Sequence, residues 1–147
     1  MRALIWAGLL AITGGAAMAQ DIIKVKTDKT VQGAMDALET VVGNAGATVF
    51  ARVDHAAGAG KVDLELADSQ LLVFGNPKLG TPAMQVDPLA GLFLPLKVLA
   101  YQDADGQVWL AYEDPKHTMS DLDGVSDAPV IEKMQGALKK LTTAASQ

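Results

Sequence analysis

Residues 75–115 hold five of the chain's six prolines, and that clustering restricts the fold more than any other feature. Proline fixes φ at about −65° and lacks a backbone donor, so none of the five can sit inside a central strand. Asn76-Pro77, Thr81-Pro82, Asp87-Pro88, Leu94-Pro95 and Asp114-Pro115 therefore cut this stretch into short pieces. The longest pieces, residues 96–101 and 107–113, alternate in polarity. Leu96, Val98 and Ala100 share one face, and Val108, Leu110 and Tyr112 share one face across the turn. Asp103-Ala104-Asp105-Gly106 joins them as a hairpin loop, with glycine where positive φ is needed. Between the earlier prolines, a short helix is expected from near Thr81, with Pro82 in its first turn, and a second turn from Asp87 through Leu92.

The rest of the chain reads as elements packed around this middle. Residues 21–26 alternate weakly and suit an edge strand. Thr27 and Asp28 are capping types, and Val31, Met35, Leu38 and Val42 follow at helical spacing until Gly43, Asn44 and Gly46. Residues 47–53 read as a strand, with Val49, Ala51 and Val53 on one face and Phe50 and Arg52 on the other. Residues 54–60 are a loop of small residues, residues 61–66 fit a short strand by alternation, and residues 70–74 a buried one. Residues 116–125 are polar, with one helical turn. Asp127-Ala128-Pro129 opens a last helix carrying Val130, Met134, Ala137 and Leu141 on one side, with Lys139 and Lys140 near its negative end. Interspersed elements around a sure antiparallel hairpin predict an α+β fold. It would have two layers, a mostly antiparallel sheet with the N- and C-terminal helices packed on one face.

Length and charge narrow the function. The 147 residues fit one domain, placed at residues 20–147. Residues 1–19 read as a signal peptide: Arg2, an apolar run to Ile12, the Gly14-Gly15 break, then Ala17-Met18-Ala19 before Gln20. A membrane anchor and a buried first helix are the competing readings of the same run. Cleavage near Ala19 makes the protein periplasmic or secreted. The formal net charge of −5 and the lack of a basic stripe argue against nucleic acid and against stable membrane insertion. No cysteine is present, which excludes disulfides, thiolate metal sites and a cysteine nucleophile.

Five segments resemble the domain-of-unknown-function 302 family: residues 50–57 (FARVDHAA), 74–77 (FGNP), 80–85 (GTPAMQ), 91–99 (GLFLPLKVL) and 105–115. They stand in that family's order and spacing. The resemblance implies a compact α+β domain, often dimeric, with no agreed biochemical role, and so a homodimer is expected. One departure is Ser69-Gln70, where that family often has Pro-Thr.

Candidate site residues follow from the chemistry on offer. His55, beside Asp54 at a strand end, supplies a pH-sensitive hydrogen bond or else simply fixes a turn such as that of Asn76. Lys97 offers a fixed positive charge for an anionic ligand, and Met84 an adaptable apolar wall. With Asn76, Thr81 and Tyr112 these make the expected groove for a small anionic or apolar ligand. Leu92, Phe93 and Leu94 are its glycine-hinged flank, or ordinary core. No metal and no cofactor is expected: the imidazole and thioether groups are His55, His117 and the methionines, notably Met84 and Met119, without an attachment motif or a calcium-spaced loop. Catalysis has a thin toolkit, since Gly-x-Ser-x-Gly is absent and Ser69, Ser120 and Ser126 lie in polar loops. The sequence therefore predicts a non-enzymatic ligand- or protein-binding module. The alternative is a metal- or redox-linked protein using His55 and Met84.

Overall fold

The computed structural model describes residues 22–147, and the expected leader lies outside them. Strands β1 (Ile22–Thr27), β2 (Thr48–Asp54), β3 (Ser69–Gly75), β4 (Leu96–Gln102) and β5 (Val108–Glu113) form one sheet in the order β1-β5-β4-β3-β2. Every neighbouring pair is antiparallel. Helices α1 (Val31–Asn44) and α5 (Pro129–Ser146) lie together on one face, so the two-layer α+β expectation holds.

The period-2 pattern dictates which side of the sheet is covered. Leu72, Phe74, Val98, Ala100, Val108, Leu110 and Tyr112 point to the helices and meet Val31, Met35, Leu38 and Val42 of α1. Leu138, Leu141 and Ala145 of α5 complete this core. Each fully buried leucine, such as Leu38 or Leu110, contributes about 1.5–3 kcal/mol. Thr30 caps α1 by accepting the Gly33 N–H at 3.1 Å. Thr27, expected as a capping residue, instead donates to the Ser146 carbonyl at 2.8 Å and ties β1 to the end of α5.

A second, smaller core forms where the prolines stand. Helix α3 (Pro77–Val86) and a 3-10 turn (Pro88–Leu92) bring Ala83 and Ala90 against Met119, Val125, Val130, Ile131 and Met134. Helix α5 thus serves both cores, the small one with its first turns and the large one with its last.

Four local expectations are corrected. Helix α3 starts at Pro77, not Thr81, because Asn76 Oδ1 accepts the Lys78 N–H at 2.9 Å and Pro77 suits the first turn. Pro82 consequently lies inside the helix. Residues 54–60 are not a loop: Asp54 Oδ1 accepts the Ala57 N–H at 2.8 Å and starts helix α2 (His55–Gly60). Residues 61–66 form turns and coil, since alternation without a partner strand makes no ladder, and Val62, Leu64 and Leu66 stay exposed. In β2, pairing passes from Val49–Phe74 to Ala51–Val73 and skips Phe50. This bulge breaks the expected alternation, so Val49 and Arg52 face the helices while Ala51 and Val53 face away. The polar segment contains one short helix, α4 (Pro115–Thr118), as expected.

Candidate functional site

An apolar cleft of about 290 Å³ opens at the seam between the two cores. Its floor is Phe74 and Leu96 from the sheet, its back is Met134 and Leu141 of α5, and its front is α3. Three backbone features shape the mouth. The β2 bulge leaves Phe50 unpaired and 59% exposed over the opening. Gly75 ends β3 with no side chain: a β-carbon there would meet Phe50 Cε2 at 3.3 Å and Pro95 Cβ at 3.4 Å. Gly80 faces Leu94 across the opening and Met84 one turn along its own helix, at 3.6 and 3.9 Å from the place of its missing β-carbon.

The lining carries no charged side chain, and its polar side chains are Asn76 and Thr81. Asn76 is already occupied as the α3 cap, and its Nδ2 donates to the Gly46 carbonyl at 3.4 Å. Thr81 is exposed at the rim. Such a cavity favours an uncharged, largely apolar guest, because a charged one would lose hydration without gaining a partner.

Of the six expected residues, the cleft gathers Asn76, Thr81 and Met84. The other three lie elsewhere. Tyr112 is a core residue of the helix-facing side, where burial pushes its phenol above the ordinary value against the opposing pull of a hydrogen bond with Thr142. Lys97 is exposed on the opposite face of the sheet, next to Val73, and brings no charge to the cleft. His55 is exposed on the first turn of α2. It follows the end of β2 that pairs Asp54 with Gln70, whereas the cleft adjoins the end that pairs Thr48 with Gly75. At about 3.3 Å per residue those ends stand roughly 20 Å apart, so His55 and Met84 cannot share a metal ion. Among the described residues, no group of three or more His, Asp or Glu side chains is placed to hold one.

The residues that the sequence reading missed are Phe50, Phe74 and Met134, whereas Leu94, expected on the groove's flank, does line the cleft. An alternation count does not reveal a bulge, and Met134 reads as plain helix core. Only Gly75, following Phe74 at a strand end, hinted at a close approach.

Among the described residues, neither of the long helices α1 and α5 packs on the opposite sheet face. That face presents Leu71 and Val73 of β3, Leu99 and Tyr101 of β4, and Trp109 and Ala111 of β5. Lys24 of β1 sits 5.6 Å from the Tyr101 ring centroid, and a hydrogen bond with the Tyr101 side chain is the leading cause of the raised Lys24 pKa. No helix of the described residues is long and apolar enough to cross a membrane.

Comparison with known proteins agrees with this architecture. A crystal structure of an uncharacterised conserved DUF302 protein from Bacillus stearothermophilus superposes with a TM-score of 0.70 at 19% identity, covering 87% of this chain and 97% of that one. That likeness speaks to fold alone. A fluoride-specific ion channel, FluC 1, of Brucella suis is 38% identical over 94 residues, which are 64% of this chain and 37% of that protein. FluC 1 of Brucella abortus is likewise 38% identical over 94 residues and is matched over 35% of its length. The chain therefore spans little more than a third of these relatives. The family model described as "Domain of unknown function DUF302" matches residues 23–141, and the chain belongs to that family.

Proposed function

We propose that this domain is a non-enzymatic binding module, exported to the periplasm or beyond, whose cleft receives a small apolar ligand. The observation that carries this reading is a 290 Å³ cleft walled by Phe50, Phe74, Leu94 and Met134 without a charged side chain. With Lys97 on the other face, an anionic ligand has no cation to meet there, and the apolar branch of the expectation is the one retained. The test is titration of the full chain with N-phenyl-1-naphthylamine, a neutral probe that fluoresces in apolar sites. Saturable binding is expected, and it should vanish in Gly80→Leu, whose new side chain fills the cleft while helix propensity improves. No saturable signal, or one indifferent to Gly80→Leu, overturns the reading. Cell fractionation that leaves the protein in the cytoplasm overturns the exported location.

A homodimer through the uncovered sheet face belongs to the same reading. Antiparallel sheets with a solvated face carry polar residues on it, and here Leu71, Val73, Leu99, Tyr101 and Trp109 stand instead. Continuing the β4–β5 ladder sets Lys97 beside Glu113, and both line one small hollow. A two-fold axis across the face would bring Lys97 of each copy to Glu113 of the other. Sedimentation velocity should give a dimer mass, and Leu99→Lys a monomer. A monomer in the unaltered chain refutes this part alone.

The Brucella relatives supply a second reading. The stretch similar to this chain is about a third of proteins named as fluoride-specific ion channels, which supports a domain that serves beside a membrane protein. Fluoride binding by the domain itself is not expected, since its cleft offers no cation. Titration of the chain with sodium fluoride, followed by fluorine NMR, should show no saturable shift.

A further inference from the structure

We infer that Met84 is a modification site: its sulfur accepts one oxygen atom from a hydroperoxide, and the resulting sulfoxide weakens ligand binding in the cleft. The second half rests on the apolar-ligand reading above; the first does not.

The chain has no cysteine, so thioethers are its sulfur chemistry. Among the described methionines, Met35, Met119 and Met134 are 0%, 1% and 0% exposed, whereas Met84 is 38% exposed. Glycines stand on two sides of it. The site of a β-carbon on Gly91 is 3.4 Å from Met84 Sδ, and that on Gly80 is 3.9 Å from Cε. The bare glycines let the thioether lie close to the backbone, and the exposed remainder of the side chain is where an oxidant can approach. Met35 and Met119 are thus sealed in the cores, Met134 is buried at the back of the cleft, and Met84 is exposed at its mouth.

The chemistry balances without a metal. A sulfur lone pair attacks one oxygen of the hydroperoxide, the S–O bond forms and the O–O bond breaks. The other oxygen leaves with the proton as water or an alcohol. Sulfur gives up two electrons and the peroxide takes them. The product replaces an apolar wall by a strong dipole. Thr81, three residues earlier on the same helix, is a hydroxyl donor within reach of that new acceptor. A guest would then have to desolvate the sulfoxide to enter.

The test uses the full chain and limiting hydrogen peroxide, with peptide mapping by mass spectrometry and N-phenyl-1-naphthylamine titration before and after. Met84 should gain its oxygen at least about tenfold faster than Met35, Met119 and Met134. Probe affinity should fall about five- to tenfold. In Met84→Leu the affinity should be the same before and after treatment. Oxidation of any core methionine as fast as Met84 overturns the modification site. An oxidised protein that binds the probe as the untreated one does overturns its effect, with the cleft reading intact. If the untreated protein binds no probe, the cleft reading falls, and the oxidation order still decides the site.

Discussion

Phe50 leans over Gly75, with its Cε2 only 3.3 Å from where a β-carbon on that glycine would stand. The bulge in β2 places the ring there, and the bare strand end leaves it room, with Pro95 Cβ 3.4 Å from the same point. Gly75→Ala should push the ring toward the mouth of the cleft. Because an exposed phenylalanine can move by a few tenths of an ångström, stability should change by less than about 1 kcal/mol. Probe affinity should change several-fold. An alanine variant with unchanged affinity would show that Phe50 does not shape the mouth.

Arg52 ties the far end of the β2–β3 pair to α1. Its Nε donates to Gln70 Oε1 at 2.9 Å, and its Nη1 contacts Asp36 at 2.6 Å and Glu39 at 3.1 Å. Gln70, nearly buried, donates in turn to Gln32 Oε1 at 3.1 Å. Arg52→Ala should cost about 1–2 kcal/mol in urea unfolding, discounted for the exposed carboxylates. Arg52→Lys should recover only part of it, because an ammonium cannot hold the fork of partners. Full recovery by lysine would mean that charge alone matters at this site.

The hairpin loop contains a pH-sensitive contact with a built-in reporter. The Trp109 Nε1–H donates to Asp103 Oδ2 at 2.8 Å, while the backbone N–H groups of Asp105 and Gln107 donate to Oδ1. These bonds, Trp109 first, hold the Asp103 carboxyl below its ordinary value. A depressed folded value means that the contribution to stability is present above the unfolded carboxylate pKa, about 3.9, and is lost as pH falls through the folded one. Trp109 is the tryptophan of the described residues, so its emission should change with an acid midpoint below that of an ordinary aspartate. Asp103→Asn should abolish that transition while leaving the fold intact. A midpoint at or above the ordinary value contradicts the arrangement.

The elements that could be read in advance are those whose periodicity agrees with their surroundings. Val31, Met35, Leu38 and Val42 announced the buried stripe of α1, and Leu96, Val98 and Ala100 the covered face of β4, because each repeats at the period of its own element. The cleft was half legible. Asn76, Thr81 and Met84 lie close in sequence on one short helix and its cap, so local reasoning reached them. Phe50 was lost because one extra residue in a strand inverts every face assignment beyond it. Chemistry alone suggests His55 and Lys97, but it does not say at which end of a strand or on which face of a sheet a side chain lies. Tyr112 was placed on the same face as Val108 and Leu110, and that placement alone already made it core.

Met134 ties the cleft directly to stability. It is fully buried, belongs to the smaller core, and forms part of the cleft's back wall. Truncating it removes contacts on the core side and widens the cavity on the other. Met134→Ala should therefore cost about 2–4 kcal/mol, somewhat offset if solvent fills the widened cleft. It should also admit a bulkier neutral probe that the unaltered chain excludes. Met134→Leu conserves volume and should cost less than about 1.5 kcal/mol without that gain. If alanine destabilises the protein as expected and yet the larger probe stays out, Met134 belongs to the core alone, and the back wall of the cleft must be assigned to Leu141 and Ala137.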